Sequence, residues 1–146
     1  DRKHTEDVRE IFNADMTWDG YNPLFPFGWG LSYTQFTYGA ISISSSTLNG
    51  SGSLTITMPV TNAGAREGKH TVELYSHQQY ASITPNMLRL RAFKKIDLKA
   101  GETQTVSFTL TAADLAFVNA DLKTVTEAGN FDLMIGKQKV SFSYQP

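Results

Sequence analysis

The sequence predicts an all-β protein, an antiparallel β-sandwich. Three observations carry this. Apolar and polar residues alternate in short runs, most strictly over residues 54–60, 106–110 and 131–135. Such period-2 runs give strands with one buried face. Turn formers separate the runs, as in Asn49-Gly50-Ser51-Gly52, Ala100-Gly101-Glu102 and Gly136-Lys137. Helical spacing is confined to a few residues near the N-terminus, and no internal repeat or low-complexity tract interrupts the pattern.

The first 20 residues read as a leader. They are charge-rich up to Glu10, and Val8, Ile11 and Phe12 have the i, i+3, i+4 spacing of a short amphipathic helix, with Thr5 as N-cap. Residues 21–35 form an irregular aromatic stretch. Pro23 and Pro26 each fix φ and remove a backbone donor, so this stretch is neither helix nor regular strand. The β pattern starts at Phe36. Phe36, Tyr38, Ile41 and Ile43 make a first strand whose phase slips near Gly39, which predicts a bulge. Leu54, Ile56, Met58 and Val60 mark the second strand, and Val72 and Leu74 a third that ends at His77. A polar loop holding Pro85 follows. Leu88, Leu90, Phe93, Ile96 and Leu98 belong to one or two strands, and Val106, Phe108 and Leu110 to the next. Thr111 caps one helical turn over Ala112-Ala113-Asp114-Leu115. Residues 117–125 form a hairpin through Asn119-Ala120-Asp121. A last hairpin pairs Phe131, Leu133 and Ile135 with Val140, Phe142 and Tyr144.

Size and composition narrow the function. A chain of 146 residues is one domain plus a leader. With a net charge of −1 and scattered basic residues, it carries no electrostatic footprint for nucleic acid. No apolar run reaches the roughly 18 residues of a membrane span. With no cysteine, disulfides and thiolate metal sites are excluded. His70, Glu73 and His77 look like a metal cluster, but on a strand residues 70 and 77 face opposite sides. We expect no metal and no cofactor.

The run Pro23-Leu24-Phe25-Pro26-Phe27-Gly28-Trp29-Gly30-Leu31-Ser32-Tyr33-Thr34-Gln35-Phe36 is a long motif. It resembles the entry to the C-terminal fibronectin type III-like (immunoglobulin-like) domain of glycoside hydrolase family 3 enzymes, the β-glucosidases and β-xylosidases. Weaker matches follow in the family's order: Val60-Thr61-Asn62-Ala63-Gly64, Glu67-Gly68, Val72-Glu73-Leu74-Tyr75, Leu90-Arg91-Ala92-Phe93-Lys94-Lys95-Ile96 and Ala100-Gly101-Glu102-Thr103. Ala113-Asp114-Leu115, Ala128-Gly129-Asn130-Phe131 and Ile135-Gly136 complete the set. Ala92 stands where the family usually has Gly, and Ala63 where it often has Thr. The resemblance implies a sandwich over residues 21–146, joined by residues 1–20 to preceding catalytic domains of the same polypeptide. Those domains would hold both carboxylates that a retaining glycosidase needs, and their substrate would be an oligo- or aryl-β-glycoside. Asp15 and Asp19 sit in the leader without a rigid frame, so no catalytic residue is expected in this chain. Members of the family are often exported. Because Asp1 opens a polar segment without a signal-peptide pattern, we expect that the N-terminus was removed or belongs to a larger chain.

Two groups of residues invite a role. Leu24, Phe25, Phe27, Trp29 and Tyr33 are expected to dock against a neighbouring domain, since aromatic rings carry large buried area. The competing use is a sugar-stacking platform that would include Trp18 and Tyr21. The apolar Leu24, Phe25 and Phe27 in their proline and glycine frame favour docking. The second group is a polar loop over residues 76–88 that carries His77, Gln78, Gln79, Tyr80 and Asn86, with Arg89 beside it. Long loops often carry function, and in some members of this family a loop of this domain approaches the active-site entrance. The simpler reading is a loop that docks or is solvated. Two other roles suit a sandwich: a stand-alone module that binds polysaccharide or protein, and a spacer in a tandem array.

Overall fold

The strictest alternating run becomes the spine of one sheet. In the computed structural model, residues 32–84 and 88–146 are described. The expected leader helix, the apolar residues Leu24, Phe25, Phe27 and Trp29, and Asn86 lie outside the described residues. The spine is β4 (Ser53–Asn62), which pairs antiparallel along its length with β7 (Thr103–Thr111). On its other side lie β1 (Phe36–Tyr38) and β2 (Ser42–Ile43), both antiparallel to it. They are two halves of one row, interrupted at residues 39–41. Pro59 explains the interruption. It sits inside β4, and its carbonyl accepts from Gly39 N–H at 2.8 Å. A residue of an antiparallel strand presents its N–H and C=O to the same side, so the donor missing from Pro59 falls on this row. A Cβ on Gly39 would stand 2.5 Å from the Pro59 ring, so only glycine fits there.

The second sheet runs β3 (Thr47–Asn49), β11 (Gln138–Gln145), β10 (Gly129–Ile135), β5 (Gly68–Gln78), β6 (Arg89–Leu98). All pairs are antiparallel except β3 with β11. The crossing of the chain to this sheet at β3 has no counterpart in the sequence pattern. Between β7 and β10 come a 3₁₀ turn, Ala112–Leu115, and a small hairpin of β8 (Phe117–Val118) with β9 (Thr124–Val125). Thr111 is the N-cap of that turn, as expected, and Asp114 closes a capping box with it. The Asp114 carboxylate accepts from both the Thr111 N–H and the Thr111 hydroxyl, each at 2.7 Å.

The core lies between the sheets. Leu54, Ile56, Met58 and Val60 face Val72, Leu74, Phe131, Leu133 and Ile135, and all are fully buried. Val106, Phe108 and Leu110 join them, with Phe108 7% exposed. Phe131 and Phe142 stack at 5.4 Å. The turn of the last hairpin carries Gly136 at φ +57, a conformation that glycine adopts freely. Residues Ser32–Pro146 make one compact unit.

Candidate functional site: the entry hub, the arginine cleft and the outer face of β6

Three places in the sandwich hold the residues with chemistry. The first is Asn62, the last residue of β4, which is fully buried. Its Oδ1 accepts from Thr34 Oγ1 at 2.6 Å and from Gly64 N–H at 3.1 Å. Its Nδ2 donates to the carbonyls of Arg66 at 2.7 Å and Leu98 at 3.0 Å. The two donors and two acceptor positions of the amide are thus all used. Asn62 ties the segment that enters the sandwich to the β4–β5 loop and to the end of β6. Gly64 and Gly68 let this happen, because a Cβ would stand 2.1 Å from Thr34 Oγ1 at the former and 2.6 Å from Thr34 Cγ2 at the latter. Nearby, the His70 ring of β5 stacks on Phe36 at 4.5 Å, and its Nε2 lies 2.6 Å from the Tyr38 hydroxyl. Burial holds His70 below its ordinary pKa against the charge of Glu73, and burial with that same charge pushes Tyr38 up. The imidazole and the phenol therefore share one hydrogen bond across the two sheets.

The second place is a cleft of about 60 Å³ between the ends of β5 and β6 and the 3₁₀ turn. A β-bulge makes it. Leu74 pairs with Ala92 but Tyr75 pairs with Leu90, so Arg91 is the extra residue. The bulge inverts the phase of β6. Arg89 pairs with Ser76 on the inner face, and Arg91 Nε donates to Ser76 Oγ at 2.6 Å. Arg89 Nη1 donates to the Ala116 carbonyl at 2.8 Å, and Arg91 Nη1 donates to that of Asp114. Burial and the charge of Arg89 pull the Arg91 pKa down to about 10, which leaves it charged at neutral pH. Gln78, 8% exposed, also lines the cleft, and its Nε2 has no hydrogen-bond partner.

The third place is the outer face of β6, an edge strand. The same bulge sends Leu90 outward, where it joins Phe93, 68% exposed. Tyr75 of β5 pairs with Leu90 in the ladder, and its hydroxyl donates to Glu73 Oε2 at 2.8 Å. Tyr33, the described member of the expected docking set, is 94% exposed.

The polar loop is shorter than expected and its residues part company. His77 and Gln78 belong to β5 and Arg89 to β6, so the connection runs over residues 79–88. The strand hydrogen bonds of β5 extend past His77, whose imidazole lies on the outer face opposite Asp132. Gln79 also reaches Asp132, at 3.3 Å, and Tyr80 is exposed on the loop. Burial would raise the Asp132 pKa. Ser141 at 2.6 Å, Lys139 and Gln79 outweigh this and hold the carboxyl below its usual range. Among the described residues of the predicted set, Gln78 and Arg89 meet at one cleft. Their companions Arg91 and Ser76 had no signal, because a bulge is invisible in alternation. Asn62 and Gly64 were legible as a motif but not as a hub.

A family model described as "Fibronectin type III-like domain" matches residues 70–139. The chain is 44% identical over 114 residues to a β-xylosidase of Formosa agariphila, and 42% identical over 114 residues to a periplasmic β-glucosidase of Salmonella typhimurium. These alignments cover 78% of this chain but 16% and 15% of the relatives. The chain belongs to the fibronectin type III-like domains of glycoside hydrolase family 3. A solved β-glucosidase from Erythrobacter marinus matches 85% of this chain with a TM-score of 0.80 at 34% identity, and that match takes up 17% of the larger chain. The fibronectin type III-like domain is thus one part of much longer glycosidases in these relatives. Its motifs are structural: Thr34, Asn62, Gly64 and Gly68, drawn from three separate motifs, converge on the one hub.

Proposed function

We propose that this domain is a non-catalytic accessory part of a family 3 glycosidase, of β-glucosidase or β-xylosidase type, and that it buttresses the catalytic domains of the same polypeptide. One observation carries the reading: the chain spans about a sixth of the length of the curated glycosidases it matches. The site chemistry agrees with it. Among the described residues, no carboxylate lines the arginine cleft or the open hollow beside Ser143 and Asn130. Hydrolysis with retention needs two carboxyl groups about 5–5.5 Å apart. Exposed aromatic residues supply the means of docking. Tyr33 and Phe93 have no use for so much water-facing apolar surface in a lone sandwich, and such surface marks a contact site. Leu24, Phe25, Phe27 and Trp29 extend the same set in sequence. The loop over residues 79–88, with Tyr80 and Asn86, is the part proposed to lie near the substrate entrance.

The test uses the full-length enzyme. Trp29→Ala and Phe93→Ser are each expected to lower the unfolding temperature while the Michaelis constant for an aryl β-glycoside stays close to wild type. Unchanged unfolding with a collapse of sugar affinity would establish the sugar-platform reading instead.

A further inference from the structure

We infer that the cleft between β5, β6 and the 3₁₀ turn is a carboxylate-binding site, with Arg91, Arg89 and Gln78 as its donors. Two guanidinium groups lie side by side at the cleft, and among the described residues neither is in a salt bridge. Each donates to a backbone carbonyl and Arg91 also to Ser76. A guanidinium has five N–H donors, so both keep donors to spare. The nearest counter-charge, Asp114, commits its carboxylate to Thr111. The third donor is independent of this pair. Gln78 Nε2 is buried without a partner, and such a group is destabilising unless something accepts from it. The last torsion of a glutamine is broad, so the amide turns Nε2 toward an acceptor seated in the cleft.

Size and lining select the ligand. About 60 Å³ is some two waters' share of liquid volume, far below the roughly 300 Å³ at which pockets hold whole small molecules. A sugar ring does not fit, but a planar two-oxygen head does. Ile83 and Phe117 add apolar wall, which suits the alkyl stem behind a carboxylate better than a tetrahedral oxyanion. Arginine pairs with carboxylates in a two-bond fork. The bulge at Arg91 is what aims both arginines inward, and bulges commonly re-aim side chains at functional sites. The carboxylate comes either from an acidic side chain elsewhere in the longer polypeptide or from a free small acid.

The experiment titrates the 146-residue chain, labelled with ¹⁵N in its arginine and glutamine side chains, with sodium acetate against sodium chloride at constant ionic strength. The expected result is a saturable shift of the Arg91 Nε–H and Gln78 Nε2–H₂ signals that chloride does not reproduce. Gln78→Leu and, separately, Arg91→Lys should each weaken the acetate affinity about tenfold, with the other backbone amide signals of β5 in place. A linear response shared with chloride, an affinity untouched by Gln78→Leu, or tighter binding of inorganic phosphate than of acetate overturns the proposal. In the longer enzyme, an Arg91 signal that acetate still shifts assigns the site to a free acid. A signal already at its bound position assigns it to the enzyme's own acidic side chain. A signal at its free position that acetate does not move overturns the proposal.

Discussion

Asn62 shows how much a single side chain can organise. It is buried, uncharged and saturated with hydrogen bonds, and the partners it satisfies come from three different stretches of chain. Truncation would leave Thr34 Oγ1, Gly64 N–H and two carbonyls unpaired in the interior. Each unsatisfied buried group destabilises by about 1–3 kcal/mol, so Asn62→Ala should lower stability by more than about 2 kcal/mol, read by urea unfolding of the 146-residue chain. His70 sets a pH dependence at the same scale. Its folded pKa lies below the ordinary 6.5 because burial disfavours the charged ring. The unfolded chain therefore binds the proton first as pH falls, and the stabilisation present above about pH 6.5 diminishes as pH drops toward the folded value. Stability measured from pH 7.5 to 5 should fall for the wild type, and the slope should be shallower in His70→Gln. An equal slope in both would remove His70 from the account.

At the scale of elements, two irregularities decide what the strands present. Pro59 in the middle of β4 breaks the neighbouring row into β1 and β2, and Gly39 closes on its ring. The bulge in β6 has wider consequences. Without it, alternation from Ile96 and Leu98 would carry Leu90 inward and Arg89 and Arg91 outward. With it, the arginines line a cleft and the leucine joins Phe93 on the outer face. The two faces respond differently to substitution. Phe108 is a core residue of β7, and Phe108→Ala should cost about 3–5 kcal/mol. Phe93→Ser, on the outer face, should change the stability of the 146-residue chain by no more than about 0.5 kcal/mol. Thermal unfolding of the two variants side by side checks this, and comparable losses would show that the phase of β6 is wrong.

For the whole molecule, no carboxylate among the described residues lines the arginine cleft or the hollow beside Ser143, and the expected outcome is an inert fragment. The purified 146-residue chain should not release chromophore from aryl β-glucosides or β-xylosides. Turnover by that chain, lost on Asp15→Ala or Asp19→Ala, would place the chemistry here after all.

The sandwich itself was determined by the sequence. Strict alternation over residues 54–60, 106–110 and 131–135 leaves one face apolar, and only a second such face can cover it, so core membership followed strand by strand. The turns at Gly101 and Gly136 were legible too, since glycine adopts their positive φ freely; Leu122, at φ 59, gave no such signal. The motif around Asn62 was legible as a signature. That its partners come from three stretches was decided only by tertiary structure, because Thr34 and Leu98 lie far from it in sequence. The same holds for the parallel pairing of β3 with β11 and for the cleft. A single extra residue at Arg91 reverses the faces of everything before it in β6. Alternation records a residue's period but not the pairing partner that sets its phase. Which side of the sheet Arg89, Arg91 and Leu90 occupy was therefore settled by their register against β5.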